Sequence, residues 1–386
     1  GHGVFKGSKT TTTRAPAKLP QSPNTTRAPT VSGQEGNGFS KVAQRTTTTA
    51  ARESASQDMR GDRVEEAVGK VNVVYATTTE DVVGLMHSMI SLSRTFARPA
   101  ALRIHVIVPA ANKSRALSTI GCFMNEFEDK TLAPRVKLHA FKPPTVPTHH
   151  QTQRRLESIG GINFAKLYLP DYLPNQSRAL WLDTDTIVRK DLSSFYARRM
   201  TSIIAVATPI SSMSNTSAHF KWTDRKYPGN ASWGSFNSGV MLVDLARWRA
   251  AHVNQSLEAW GARLTRDKVG YGDQLLLNLE FHFNRNFDAV HRGFNENNLG
   301  CKSSRTWPSP AETSILHFSG TFKPWKARCK DWCAAEFYSF APGKRCLTSP
   351  VAPREKNATS AAGEKVLATT NSSQTRTTWT STTSCC

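Results

Sequence analysis

Between Val71 and Val108 the chain reads as strand, helix and strand in immediate succession, and this succession restricts its fold more than any other feature. Val71-Asn72-Val73-Val74-Tyr75-Ala76 is a short β-branched run. From Val82 to Phe96 the residues Val82, Leu85, Met86, Met89, Leu92 and Phe96 recur at helical spacing, and Leu102 to Val108 is a second apolar run stopped by Pro109. Parallel strands need a crossover, and a helix of this length supplies one. The chain is therefore predicted to be an α/β protein with a mainly parallel central sheet covered by helices on both faces.

The pattern continues downstream. Ala111 to Phe127 predicts a helix and Val136 to Phe141 a third strand, followed by a long loop from Phe141 to Arg155 that carries three prolines and two histidines. Phe164 to Leu169 begins a helix expected to stop near Pro170. Ala179 to Leu182 is a buried strand, Ile203 to Ala207 another, and Phe236 to Leu245 one more, leading into a helix around Trp248.

Composition sets the limits of this region. Residues 1–68 are rich in Thr, Ala, Pro, Ser, Gln and Arg, with Thr10 to Thr13 and Thr46 to Thr49 as homopolymer runs, and 347–386 repeat the pattern with Thr-Thr and Ser-Thr pairs. Neither stretch has the apolar surface to offset the entropy of ordering, so both are predicted to be disordered tails around one domain, 69–346. The net charge of +21 points either to a basic solvated surface or to anionic partners. It is spread along the chain, with no Lys/Arg-rich helix or aromatic-basic platform, which argues against nucleic acid.

Of seven cysteines, Cys301, Cys329, Cys333 and Cys346 cluster near the end of the domain. Their spacing lacks the tight pairs and histidines of a zinc site, and one or two disulfides in an oxidising compartment are expected. Sequons such as Asn112-Lys113-Ser114, Asn175-Gln176-Ser177 and Asn254-Gln255-Ser256 point the same way. No run is apolar and long enough to span a membrane, and Gly1-His2-Gly3 has no signal-peptide core. The chain reads as a fragment or processed form, in which the Thr/Pro-rich head would serve as a stem below an upstream membrane anchor.

The polar clusters fall where parallel sheets bind ligands, at the carboxyl ends of strands. Asp183-Thr184-Asp185 directly follows the Ala179 to Leu182 strand. In an extended segment Asp183 and Asp185 would project to one side and Thr184 to the other, so both carboxylates could approach one hard divalent cation. That cation would stabilise charge on a departing diphosphate. His317 lies in Ile315-Leu316-His317-Phe318-Ser319-Gly320-Thr321-Phe322-Lys323-Pro324-Trp325, where His, Gly and Lys together fit a diphosphate and its metal. Phe236-Asn237-Ser238-Gly239-Val240 places groups able to bind sugar hydroxyls before a strand, or an ordinary turn. Gly270-Tyr271-Gly272-Asp273-Gln274 resembles a loop entering a helix, with Asp273 and Gln274 at its exposed start and capping as the competing role for Asp273.

Together these segments, with Thr77-Thr78 after the first strand and the block Phe164-Ala165-Lys166-Leu167-Tyr168-Leu169-Pro170, resemble glycosyltransferase family 8 in order across about residues 70–330. Phe294-Asn295, Leu299-Gly300 and His317-Phe318-Ser319-Gly320 look closest to its eukaryotic type II membrane members. The resemblance implies a GT-A fold and retaining transfer from a UDP-sugar to a glycan, glycoprotein or polysaccharide acceptor in the Golgi or secretory lumen. It also implies Mn2+, with Mg2+ as the alternative, bound by Asp183, Asp185 and His317. Thr77 and Thr78 would lie against the uridine, Lys166 would contact the donor, and Thr184, Ser238 and Gly239 would complete the donor site. Asn237 and Asp273 would hold the sugar, Gly320 and Lys323 the diphosphate, and Gln274 matches the residue near the anomeric β-face. Ala76-Thr77-Thr78-Thr79 departs from the pattern where many members carry Asp, and Leu275 departs where some bacterial members carry a carboxylate. A glycogenin-like self-glucosylating primer and an inactive glycan-binding member are the alternatives.

Overall fold

A computed structural model describes residues 69–145, 161–207, 235–282, 286–299, 308–320, 323–325 and 331–343. All belong to the second of two compact units, which spans Ala55–Cys386. The tails 1–68 and 347–386, most of the loop predicted to Arg155, and Cys301, Cys329 and Cys346 lie outside the described residues.

The elements run β1 (Val71–Ala76), α1 (Val82–Thr95), β2 (Leu102–Val108), α2 (Lys113–Met124), β3 (Arg135–Ala140), α3 (Leu169–Tyr172), β4 (Arg178–Leu182) and β5 (Thr186–Val188). They continue with α4 (Ser193–Ala197), β6 (Ile204–Ala207), β7 (Val240–Asp244), α5 (Leu245–Ala250), α6 (Val253–Arg266), α7 (Asp273–Leu277), β8 (Phe287–Val290), β9 (Ile315–His317) and α8 (Asp331–Ser339). Seven strands form one sheet in the order β3-β2-β1-β4-β7-β6-β8, and β5 pairs with β9 in a separate ribbon.

Every residue of β1 is buried, because alternate side chains enter cores on opposite faces. Val74 and Ala76 join Trp181, Met241, Val243, Trp248 and Leu257 on one face. Val73 and Tyr75 join Leu85, Met89, Val106, Leu180 and Leu242 on the other. The predicted layering is thus present. Pairs β1–β2, β2–β3, β1–β4 and β6–β8 are parallel, whereas β7 runs antiparallel to both β4 and β6. That inversion sets the end of β4 beside the start of β7, with Leu182 opposite Val240.

Three local expectations change. The segment before Pro170 is a 3-10 helix, Ile162–Tyr168, and the chain turns on through α3 with Pro170 in its first turn, where a missing N–H costs no helical bond. The strand expected from Phe236 begins only at Val240. Cys122, outside the cysteine cluster singled out above, is disulfide-bonded on α2. No helix among the described residues is long and apolar enough to cross a membrane.

Candidate active site

Two strand pairings assemble the site. The antiparallel β4/β7 pair continues past its strands through the Asp183 N–H, which donates to the Gly239 carbonyl at 2.8 Å. The β5/β9 pair sets Thr186 opposite His317, which brings the imidazole back to the residue before Thr186. Asp183-Thr184-Asp185 is a turn joining the two sheets, and the extended geometry expected for it is absent. Its carboxylates converge all the same. His317 Nε2 lies 3.1 Å from Asp185 Oδ1 and 3.9 Å from Asp183 Oδ2. One donor atom from each of the three residues falls within 4.8 Å of the others.

The surrounding hydrogen bonds leave those donor atoms facing one another. Asp183 Oδ1 accepts from Trp181 Nε1 at 2.7 Å and from Lys166 Nζ at 3.2 Å, so Oδ2 is the oxygen turned to His317. Asn295 Nδ2 donates to the Asn237 carbonyl and side-chain oxygens at 3.2 and 3.1 Å, which orients its own Oδ1 towards His317 Nδ1 at 2.9 Å. Nδ1 therefore carries a proton, which leaves Nε2 as the ring nitrogen that could offer its lone pair to a metal ion. Two carboxylate oxygens and an imidazole nitrogen suit a divalent cation with open positions. A cation already sits there: the Lys323 ammonium pairs with Asp185 Oδ2 and donates to the Phe318 carbonyl at 3.0 Å. Burial alone would raise the Asp185 pKa, but Lys323 and His317 overcome it and hold the carboxyl far below its ordinary range. The residues present thus fit a divalent metal ion.

Gly239 is required by this closeness. A Cβ there would overlap the His317 ring and stand 2.8 Å from Asp183 Oδ2. Gly84 on α1 plays a matching part, since a Cβ would meet Trp325 Cη2 at 2.5 Å and the Thr184 carbonyl at 2.8 Å. Thr184 is accordingly buried against α1. Trp325 is fixed from its far side by Phe337 of α8, which also stacks on His87 with centroids 4.1 Å apart.

Lys166 is 1% exposed and serves as the hub between Asp183 and Asp273. Its ammonium lies 2.8 Å from Asp273 Oδ2 and 3.2 Å from Asp183 Oδ1, hydrogen bonds Ser238, and stands 5.0 Å over the Trp181 ring. Burial opposes its charge, yet the two carboxylates raise its pKa. Asp273 is half-buried and turned inwards, accepting from Ser238 Oγ at 3.2 Å, and the N-cap of α7 is Gly272 with no side-chain capping bond, so the capping alternative is not what the structure has. The Gln274 carboxamide accepts from the Ser238 N–H at 3.3 Å. Asn237 Oδ1 accepts from the Gly239 N–H at 2.9 Å.

At the end of β1, Thr77 is buried and its N–H meets the Ile107 carbonyl at 3.0 Å. Thr78 Oγ1 donates to Asp81 Oδ2 at 3.2 Å, and the Asp81 charge helps raise the Lys323 pKa behind the larger effects of burial, which opposes it, and of Asp185. Asp81 thus brings a carboxylate to Thr78, close enough for its charge to act on Lys323. Gly320 is exposed with φ 109°, a left-handed backbone that favours glycine.

Sequence reasoning missed Asn278, which exchanges bonds of 2.9 Å with both the N–H and carbonyl of Phe236. Its spacing of four residues after Gln274, on the same helical face, was the available signal. It also gave Asn295 no role beyond a sub-family mark.

The comparisons with known proteins agree with this geometry. The model "Glycosyl transferase family 8" matches residues 72–329. A probable galacturonosyltransferase-like 8 from Arabidopsis thaliana is 26% identical over 323 residues, covering 75% of this chain and 77% of the relative. The probable galacturonosyltransferase-like 9 of the same plant is also 26% identical, covering 78% and 79%. Among solved structures, the galactosyltransferase LgtC in complex with donor and acceptor sugar analogues aligns with a TM-score of 0.50 at 19% identity, covering 70% of this chain and 95% of that one. The bifunctional glycosyltransferase WbbM aligns with a TM-score of 0.53 at 13% identity, covering 70% and 49%. The fold they share with this chain is GT-A. With two thirds of its length matched by the family model and the motif residues of that family meeting at one sheet end, the chain belongs to glycosyl transferase family 8.

Proposed function

We propose that this glycosyltransferase moves a sugar from a UDP-sugar to a glycan or glycoprotein acceptor with retention of configuration, using Mn2+ held by Asp183, Asp185 and His317. The convergence of those three residues with Lys323 is the observation that carries the reading. Bound there, the cation would neutralise charge growing on the leaving diphosphate. Lys323 and the Gly320 backbone would bind the same diphosphate, Lys323 exchanging Asp185 for a phosphate oxygen. Thr77, Thr78 and Asp81 at the end of β1 would meet the nucleoside, and Asn237, Asp273 and Ser238 the sugar.

The Gln274 carboxamide has its oxygen engaged by the Ser238 N–H. A carboxamide is a weak nucleophile to begin with, and this contact draws its electron pair away from the sugar. The arrangement favours a front-face route in which the leaving diphosphate takes the acceptor's proton. Lys166 acts behind the donor, fixing Asp183 and Asp273 relative to each other. The intact cluster is more than a binding-only relative would need.

The working site is proposed to be the Golgi lumen, as the sequons and the Cys122 disulfide favour an oxidising compartment. The test is hydrolysis and transfer with UDP-glucose, UDP-galactose, UDP-xylose and UDP-galacturonate, with and without Mn2+. Because the plant relatives are named probable galacturonosyltransferase-like, UDP-galacturonate is the first donor to try. Turnover of at least one donor only with divalent metal, lost in Asp183→Asn, is expected. Unchanged turnover under excess chelator would overturn the metal assignment.

A further inference from the structure

A second cleft lies at the opposite end of the sheet. It has a volume of about 650 Å³ and is walled by Arg103, Lys130, Arg135 and Thr131 over an apolar floor that includes Met124 and Val136. Arg103 and Arg135 face each other across β2 and β3. Like charges directly opposite on neighbouring strands destabilise a sheet. Burial and the Arg135 charge both lower the Arg103 pKa.

None of the three cations is paired with a carboxylate among the described residues, yet two of them are held in place. Arg103 Nη1 donates to the Ala100 and Leu102 carbonyls at 2.7 and 2.8 Å, which fixes the guanidinium plane and leaves Nε and Nη2 for an external acceptor. Lys130 is anchored by donating to the Met124 carbonyl at the end of α2. Asp129, beside Lys130 in sequence, is turned to its own loop, accepting from the Thr131 N–H and hydroxyl at 2.8 and 2.7 Å.

We propose that this cleft binds an oligosaccharide whose sugars carry carboxylate or sulfate groups. The cations take the acidic groups, and the apolar floor takes the C–H faces of the rings. The volume is that of a small-ligand pocket, well beyond the needs of a lone inorganic anion. Arg103 stands four residues along β2 from Ile107, whose carbonyl meets Thr77, so the cleft is about 13 Å from the donor end of the sheet. It therefore cannot hold the sugar being transferred. It retains a remote part of an acidic chain, and this inference stands whichever donor the enzyme uses.

The experiment is titration of the full chain with an oligogalacturonide, a sulfated oligosaccharide, a neutral cello-oligosaccharide, inorganic sulfate and phosphatidylserine vesicles. At least one of the acidic oligosaccharides should bind with salt-sensitive affinity, and the Arg103→Gln/Arg135→Gln variant should weaken it about tenfold, the sum of a few exposed charge contacts. Which of the two binds tells carboxylate from sulfate. UDP-sugar hydrolysis should be unchanged in that variant, separating failure of the cleft from failure of the active site. If the double variant is poorly folded, Lys130→Gln and Arg135→Gln, both at exposed positions, should each give a smaller loss. Equal binding by wild type and variants, equal binding of the neutral sugar or of inorganic sulfate, or binding to vesicles alone would overturn the proposal.

Discussion

His317 donates from Nδ1 to the side-chain oxygen of Asn295 at 2.9 Å, and Asn295 in turn donates to Asn237. One amide thus orients a residue proposed to bind metal and one proposed to bind sugar. Asn295→Ala should weaken Mn2+ binding about 10- to 100-fold, as loss of such a supporting hydrogen bond does elsewhere. Titration by calorimetry or by the free-Mn2+ resonance signal measures this directly. Asn295→Asp keeps the acceptor for Nδ1 and should recover part of the affinity; no difference between the two variants would show that the hydrogen bond is immaterial.

Lys166→Met should be among the most damaging single changes. It removes the ammonium paired with Asp273 and, among the described residues, one of two donors to Asp183 Oδ1, leaving the Asp273 carboxylate without its countercharge. Breaking a buried ion pair by removing one partner costs about 3–5 kcal/mol. Urea unfolding would read the loss, and a variant as stable as wild type would mean that Asp273 finds another partner.

Gly239→Ala should remove activity while leaving the sheet folded. The added methyl displaces His317 or Asp183, and β7 can still pair with β4 beyond the site. Circular dichroism matching wild type, together with lost Mn2+ binding, is the expected pair of results.

Stability should fall with acid below the ordinary histidine range. His87 is buried, donates from Nδ1 to the Phe337 carbonyl at 3.1 Å, and has its pKa pushed down by burial to about 4. His105 meets His139 at 3.0 Å and Asn72 at 3.3 Å, and burial followed by the His139 and Lys137 charges lowers it to about 4 as well. The unfolded chain takes up these protons first, so their stabilisation is complete above the unfolded value of 6.5 and is lost between there and about 4. For His87 alone the loss is roughly 2–3 kcal/mol. Thermal unfolding followed from neutral pH towards pH 4 should show the decline, and His87→Phe should flatten it.

Much of the layering was legible because it rests on periodicity: Val73 and Val74 point to opposite cores as their alternation demands. The residues of the candidate metal site were legible by type, since Asp183, Asp185 and His317 carry chemistry that a core has no use for. Their geometry was not. The turn at Thr184 follows from a change of sheet, a long-range event with no local signature. The reversed β7 is equally silent in sequence, as a buried strand reads alike in either direction. Lys166 read as a donor contact only through the family resemblance, while its enclosure by Asp183, Asp273 and Ser238 depends on three separate segments.

The two pairings β4/β7 and β5/β9 make the site tolerant in one dimension and rigid in another. Chain inserted between Val188 and Ile315 outside the strands leaves Thr186 opposite His317, so those connections can grow, shrink or be exchanged without moving that pair. Deleting one residue inside Thr186–Val188 would turn every remaining side chain of that strand over and carry Asp185 away from His317. Diversification of such an enzyme therefore has open ground in its connections and almost none in the eight residue pairs of these strands.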